Sequence, residues 1–283
     1  VMLSIPEIFV ALYAFFKGHT GISLGVIIGS VIANIGLMTG LSAMIKPLSV
    51  DGRVVIRDGV FALIISFIVL LFGTDLKFDR VEGITLMLLF VPYALNVWFF
   101  EKWASKKARK EELKEIKSEL RVIGLGLWDL KPGFFSFIIG SALLLVGSYF
   151  FSDALIRIAI LSGLSDVLIG ITIGALGPSL PNIVAAVHGT VRNYTKIAIT
   201  ETFGADIFTL LVTLGLLATL SPIIIDKKWL FFDIPMMLLM TGLMIFFIFR
   251  GHLKERKAIL PYEGGFLVLF YILFLILNIL FFA

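Results

Sequence analysis

Long apolar segments follow one another through most of this 283-residue chain. A bilayer core takes about 20 apolar residues per helix, and backbone amides in lipid must find hydrogen bonds within the protein. Segments of this kind lie at 1–16, 23–45, 54–73, 84–100, 133–151, 166–187, 197–220, 229–249 and 265–282. The sequence therefore predicts an all-α polytopic membrane protein with about nine transmembrane segments.

The composition supports a membrane protein and excludes several kinds of site. Hydrophobic residues make up 59% of the chain and charged residues 16%, against roughly 25% charged in ordinary globular proteins. Cysteine is absent, so disulfides and thiolate metal sites are excluded. The basic residues lie between the apolar segments, so we expect no nucleic-acid partner. The expected partners are the lipid bilayer and inorganic cations, and the sequence does not predict the oligomeric state.

The distribution of Lys and Arg predicts the orientation of a multi-pass protein in the cell membrane. The one long polar stretch, 101–132, is basic, and cytoplasmic loops carry an excess of Lys and Arg. With this stretch in the cytoplasm and strict alternation elsewhere, 18 of the 24 basic residues lie on the cytoplasmic side and 6 on the other. The same alternation predicts an external C-terminus at Ala283.

Polar residues interrupt the apolar segments in two groups that resemble each other. Each group has a hydroxyl, a proline and a carboxylate or amide, followed one segment later by a hydroxyl four residues before Asn or Asp. The first group contains Ser4, Pro6, Glu7, Ser30 and Asn34, and the second contains Ser179, Pro181, Asn182, Thr202 and Asp206.

The two groups are five segments apart, so they cross the membrane in opposite directions. This spacing predicts an inverted repeat of two five-helix halves, which in transporters places the substrate site near the midplane. We expect a first repeat at 1–100 with four segments, a cytoplasmic basic loop at 101–132 and a second repeat at 133–283. The segment at 133–151 has no counterpart in the first half, so we expect an N-terminally truncated chain with a further helix upstream of Val1.

The residue types point to a site for hard cations. Glu7 and Asp206 are lone carboxylates in apolar surroundings, where ionisable groups are functional by default. A proline within a helix frees the carbonyl four residues before it, here that of Met2 or Gly177. Oxygen ligands of this kind suit Na⁺ or Ca²⁺ and not soft metals. Any single Ser or Pro in such a helix can equally be structural.

Both groups resemble the α-repeats of the sodium/calcium exchanger superfamily, whose motifs approximate G-T-S-L-P-E followed by G-S-x-x-x-N or G-S-x-x-x-D. The resemblance implies exchange of Ca²⁺ against Na⁺, or H⁺ in some branches, by alternating access and without a cofactor. It also implies carbonyl ligands near Met2 and Gly174. The side-chain ligands that it implies are Ser4, Glu7, Ser30, Asn34, Ser179, Asn182, Thr202 and Asp206.

The sequence departs from the motifs at Leu3, Pro178 and Asn182, the last replacing the second repeat's Glu. Glu201, one residue before Thr202, is either a substitute charge or a residue that favours a helix start. A passive cation channel and a cation-sensing protein therefore remain alternatives to an antiporter. An enzyme is not expected, because the segments hold no nucleophile–His pair. Asp233, near a segment boundary, is expected to be an interfacial anchor.

Overall fold

The computed structural model describes residues 4–50, 52–103, 134–253 and 258–282, and nearly all of them are helical. Eight of the described spans are long and apolar enough to cross a membrane, and Ile5–Phe16 is a shorter apolar helix. The prediction of an all-α polytopic membrane protein is therefore confirmed. The predicted basic loop at 101–132 lies almost entirely outside the described residues, as does the carbonyl of Met2.

The described part of the first half has five α-helices, a π-helical stretch that joins two of them, and two short strands. In chain order these are α1 (Ile5–Phe16), α2 (Thr20–Ala33), a π-helical stretch (Asn34–Thr39), α3 (Gly40–Ile45), β1 (Leu48–Ser49), α4 (Gly52–Phe72), a 3₁₀ turn (Gly73–Asp75), β2 (Lys77–Phe78) and α5 (Arg80–Trp103). The span from α2 to α3 is continuous, because the π-helical stretch joins the two helices without a break.

The second half repeats this alternation of long helices, π-helical stretches and short strands. Its elements are α6 (Phe134–Ser162), α7 (Asp166–Ile169), a π-helical stretch (Gly170–Gly174), α8 (Ala175–Val191), α9 (Ile197–Phe208), a π-helical stretch (Thr209–Leu214), α10 (Gly215–Leu220), β3 (Ile223–Ile224), a π-helical stretch (Trp229–Asp233), α11 (Ile234–Leu253), β4 (Ala258–Ile259) and α12 (Pro261–Phe282).

The short strands pair between the two halves, not within them. β1 pairs antiparallel with β4, Leu48 opposite Ile259, and β2 pairs antiparallel with β3, Phe78 opposite Ile223. The helices follow the same exchange: α3 packs against α12, and α10 packs against α5. Each half therefore packs its fold against the corresponding part of the other.

A constant offset of 175 residues relates the local structure of the two halves. α1 ends at Phe16 and α8 ends at Val191. The left-handed residues that follow these helices, Gly18 and Asn193, have φ values of 86° and 73°. The stretches Asn34–Thr39 and Thr209–Leu214 are both π-helical, again 175 residues apart.

Two local details differ from the sequence predictions. α6 runs to Ser162, past the predicted segment end at 151, because Arg157 and Asp153 pair at 2.7 Å on its exposed face. These charges decorate the helix and do not end it. Pro6 lies in the first turn of α1, where its missing amide leaves no intrahelical bond unmade, so it does not interrupt this helix.

Candidate cation site

The eight predicted ligands all lie inside the protein. Seven have no exposed surface, and Asp206 is 2% exposed. They come from α1, α2, α8 and α9, together with the π-helical stretch that begins at Asn34 and with Ser4, just before α1. Burial of this many polar groups is costly unless they are hydrogen-bonded or bind an ion.

Glu7 is the point at which three elements from both halves meet. Its Oε1 accepts a hydrogen bond of 2.7 Å from the Ser179 hydroxyl of α8. Its Oε2 accepts one of 3.0 Å from the hydroxyl of Thr209, the first residue of the π-helical stretch after α9. Hydrogen bonds to a carboxylate are about twice as strong as neutral ones, so Glu7 holds α1, α8 and the end of α9 together.

Asn34 and Asp206 form a second contact between the halves. Asn34 Nδ2 donates to Asp206 Oδ1 at 3.1 Å. The remaining side-chain oxygens, Asn34 Oδ1 and Asp206 Oδ2, are buried and find no hydrogen-bond donor among the described residues. The pair therefore keeps two oxygen acceptors available to a cation.

Asn182 and Ser4 add further buried polar atoms. Neither the oxygen nor the nitrogen of the Asn182 amide has a hydrogen-bond partner in the part of the chain that the structure describes, and the same holds for Ser4 Oγ. An unsatisfied buried polar group costs about 1–3 kcal/mol. Several such groups within one set of predicted ligands fit the chemistry of a site for a hard cation.

Ser30 and Thr202 make other bonds. The Ser30 hydroxyl donates to the carbonyl of Val26, one turn earlier. Thr202 Oγ1 donates to the Ala198 carbonyl at 2.7 Å and lies 2.7 Å from Thr39 Oγ1. The hydrogen bonds of Thr202 thus lead to Thr39 and not to Glu7 or Asp206.

Thr209 is the contact of Glu7 that the sequence analysis missed. Motif matching paired Asn34 with Asp206, which are 172 residues apart. The pairs Ser4–Ser179 and Glu7–Asn182 are 175 apart, and the same offset from Asn34 leads to Thr209, where the second π-helical stretch begins. This constant offset is the signal that would have found Thr209.

Two glycines let the halves approach closely beside these residues. A Cβ on Gly25 of α2 would lie 2.6 Å from the backbone of Gly170, and one on Gly29 would lie 2.7 Å from Cβ of Ala175. Real Cβ atoms are not found at such distances. Glycine at 25 and 29 therefore allows α2 to pack against the segment that leads into α8.

Two other carboxylates differ from their predicted places. α9 begins at Ile197 and has no acidic residue in its first turn, so the helix-start interpretation of Glu201 does not fit. The prediction of Asp233 as an interfacial anchor is wrong, since its side chain has no exposed surface. Nowhere in the described residues do three His, Asp or Glu side chains cluster as a metal site would require.

The sequence matches the sodium/calcium exchanger protein family over residues 1–99 and 132–280. The chain belongs to this family. It is 28% identical to the sodium/calcium exchanger MaX1 of Methanosarcina acetivorans over 96% of this chain and 84% of that protein. It is also 30% identical to the putative antiporter CaxA of Alkalimonas amylolytica, over 79% of this chain and 68% of that one.

Solved structures of the sodium-calcium exchanger NCX_Mj have the same fold as this exchanger-family protein. One of them superposes with a TM-score of 0.67 and 24% identity, over 99% of this chain and 84% of that chain. The resemblance to the exchanger superfamily is thereby confirmed. Since the family consists of exchangers, this protein is a membrane protein of a transporter family.

Proposed function

We propose that the protein is a secondary-active antiporter that exchanges Ca²⁺ for Na⁺ or H⁺ by alternating access, and not an enzyme. The observation that carries this proposal is the convergence of Glu7, Ser179 and Thr209 from the two halves, at 2.7 and 3.0 Å. In exchangers of inverted-repeat construction, the ion site lies at the interface of the repeats.

The charge of the proposed site suits one divalent cation. Glu7 and Asp206 supply two negative charges, and the remaining ligands, Ser4, Ser30, Asn34, Ser179, Asn182 and Thr202, are neutral oxygen donors. We propose Thr209 as an additional ligand. Ca²⁺ takes six to eight oxygens in flexible geometry, and competing Na⁺ would use the same oxygens.

The exchange of structural parts between the halves supports the inverted repeat. The 175-residue offset pairs π-helical stretch with π-helical stretch, and β1–β4 mirrors β3–β2. A pseudo-twofold axis between the halves would generate both relations. We propose that one half moves against the other about this interface, with residues 101–132 in the cytoplasm and the C-terminus outside.

Counterflow in liposomes tests the proposed function. The full-length protein, preloaded with unlabelled Ca²⁺, should accelerate uptake of labelled Ca²⁺, and an outward Na⁺ or H⁺ gradient should drive net uptake. Glu7→Gln should abolish both fluxes, whereas Asp153→Asn, which removes an exposed ion pair of α6, should leave them intact because such pairs contribute little. Flux without trans-acceleration would indicate a channel and contradict the proposal.

A further inference from the structure

A second buried polar cluster lies apart from the residues of the proposed exchange site. Asp233 ends the π-helical stretch that precedes α11, and it has no exposed surface. Neither of its carboxylate oxygens has a hydrogen-bond partner among the described residues. The Lys228 amine lies 3.9 Å from Oδ2, which is too long for a direct hydrogen bond. Asp233 is thus charge-compensated at a distance but not hydrogen-bonded.

Asn278 of α12 faces Asp233. The Asn278 side chain is fully buried and close enough for its amide to act on the Asp233 carboxylate. Its Nδ2 donates to the Phe274 carbonyl at 3.2 Å, and its Oδ1 has no donor in the described part of the chain. Three buried oxygens, two from Asp233 and one from Asn278, therefore lie together without a donor.

The corresponding cluster of the first half shows what such a group of oxygens binds. Asp58, 175 residues before Asp233, is 5% exposed. Arg57 Nε donates to Asp58 Oδ1 at 2.8 Å, and Arg57 Nη1 donates to Oδ1 of Asn96 at 3.0 Å. Asn96 lies on α5 as Asn278 lies on α12, in the last helix of its half. In the first half, a guanidinium therefore joins the Asp to the Asn.

The second half has no arginine at this place. The residue 175 positions after Arg57 is Phe232, whose ring stacks on Phe274 with centroids 6.0 Å apart. The same arrangement of Asp and Asn oxygens is thus kept, while the residue that carries the bridging positive charge in the first half is replaced by an apolar ring. A separate cation can supply the charge that Arg57 supplies at Asp58.

We propose that Asp233 and Asn278 form a second cation site, which binds one small monovalent cation, Na⁺ or H⁺. One carboxylate balances one positive charge, and hard oxygen donors suit Na⁺ as they suit a proton shared between two oxygens. The π-helical stretch Trp229–Asp233 can add backbone carbonyls, since such stretches are frequent at functional sites.

Lys228 competes with the bound cation for Asp233. Its side chain is 13% exposed, and the long stem of lysine allows the amine to move outward while the stem stays buried. The cation enters as the ammonium withdraws, so the cluster never holds two positive charges against one carboxylate. This site does not depend on the proposed exchange at Glu7 and Asp206.

Infrared difference spectroscopy of the full-length protein in nanodiscs tests the site. Replacing choline by Na⁺ at constant pH, or lowering the pH in Na⁺-free choline buffer, should change a carboxyl band. The first response identifies Na⁺ as the cation and the second identifies H⁺. The band should be lost in Asp233→Asn and retained in Asp58→Asn, the matched control whose carboxylate is already bridged by Arg57.

Two further variants keep the proposal falsifiable if Asp233→Asn alters folding. Asn278→Leu should keep the Asp233 band but weaken the response to the cation. Lys228→Gln should tighten the response by about tenfold or more, because a competing like charge is removed. Calcium titration at the Glu7 site serves as the folding control for each variant. A spectrum insensitive to both Na⁺ and pH, a band that survives Asp233→Asn, or an unchanged midpoint in Lys228→Gln overturns the proposal.

Discussion

The Thr209 hydroxyl donates a 3.0 Å hydrogen bond to Glu7, a residue 202 positions earlier in the chain. This bond joins the first π-helical residue of one half to the principal carboxylate of the other. Its neighbour in sequence, Thr202, bonds instead to Thr39 and Ala198. Two threonines on nearby turns thus serve different contacts, and their variants should behave differently.

Thr209→Val should weaken Ca²⁺ binding by about tenfold, equal to about 1.4 kcal/mol, because it removes a donor that positions the Glu7 carboxylate. Thr202→Val should weaken it by less than about threefold, since its hydroxyl acts on Thr39. Calorimetric titration of the purified protein measures both. A larger effect at Thr202 than at Thr209 would restore Thr202 as the ligand that the motif implies.

Glu7→Gln and Asp206→Asn should each nearly abolish Ca²⁺ binding, because each removes half of the negative charge of the proposed site. Without ions, either variant should unfold at a higher temperature than the parent, since an uncompensated buried carboxylate is destabilising. Titration and thermal unfolding in detergent give the two readings. Normal Ca²⁺ affinity in Glu7→Gln would place the site elsewhere.

Asn182→Glu should steepen the dependence of Ca²⁺ displacement on Na⁺ concentration. A third carboxylate strengthens the field that holds several like-charged ions together at short distance. The Hill slope of Na⁺ competition, measured against bound Ca²⁺, reports the change. An unaltered slope would mean that Asn182 does not face the bound cations.

Gly25→Ala should destabilise the protein by about 1–3 kcal/mol, since overpacking of a close contact has this cost. The added Cβ would lie 2.6 Å from the Gly170 backbone. Gly265→Ala on α12 is the matched control, because a Cβ there meets nothing within 4 Å. It should be neutral or slightly stabilising, as alanine favours a helix over glycine. Equal thermal shifts in the two variants would contradict the close packing of α2.

The charge asymmetry of the loops predicts which positions are accessible from outside. The chain has no cysteine of its own, so single cysteines at Ser105 and Lys227 can be labelled without background. An impermeant thiol reagent applied to intact cells should modify the cysteine at 227 and spare the one at 105. Labelling of 105 alone would reverse the predicted orientation.

The sequence by itself determined that the chain crosses a membrane as helices, because apolar segments of this length leave the backbone no other way to satisfy its hydrogen bonds in lipid. It also singled out eight polar residues in apolar surroundings, all of which prove to be buried. Polar groups of this kind are conspicuous within apolar segments, because burying them is costly unless they bind a partner.

Tertiary structure alone decided which of these polar groups meet. Helical spacing gives the face of a single helix on which a residue lies, but the π-helical stretches and the close approach at Gly25 set how α2, α8 and α9 are turned towards α1. For this reason Thr209, and not the Thr202 that the motif suggested, bonds to Glu7. Asp233 was misjudged for a similar reason: its place near a segment end suggested the interface, whereas packing of α11 and α12 encloses it beside Asn278.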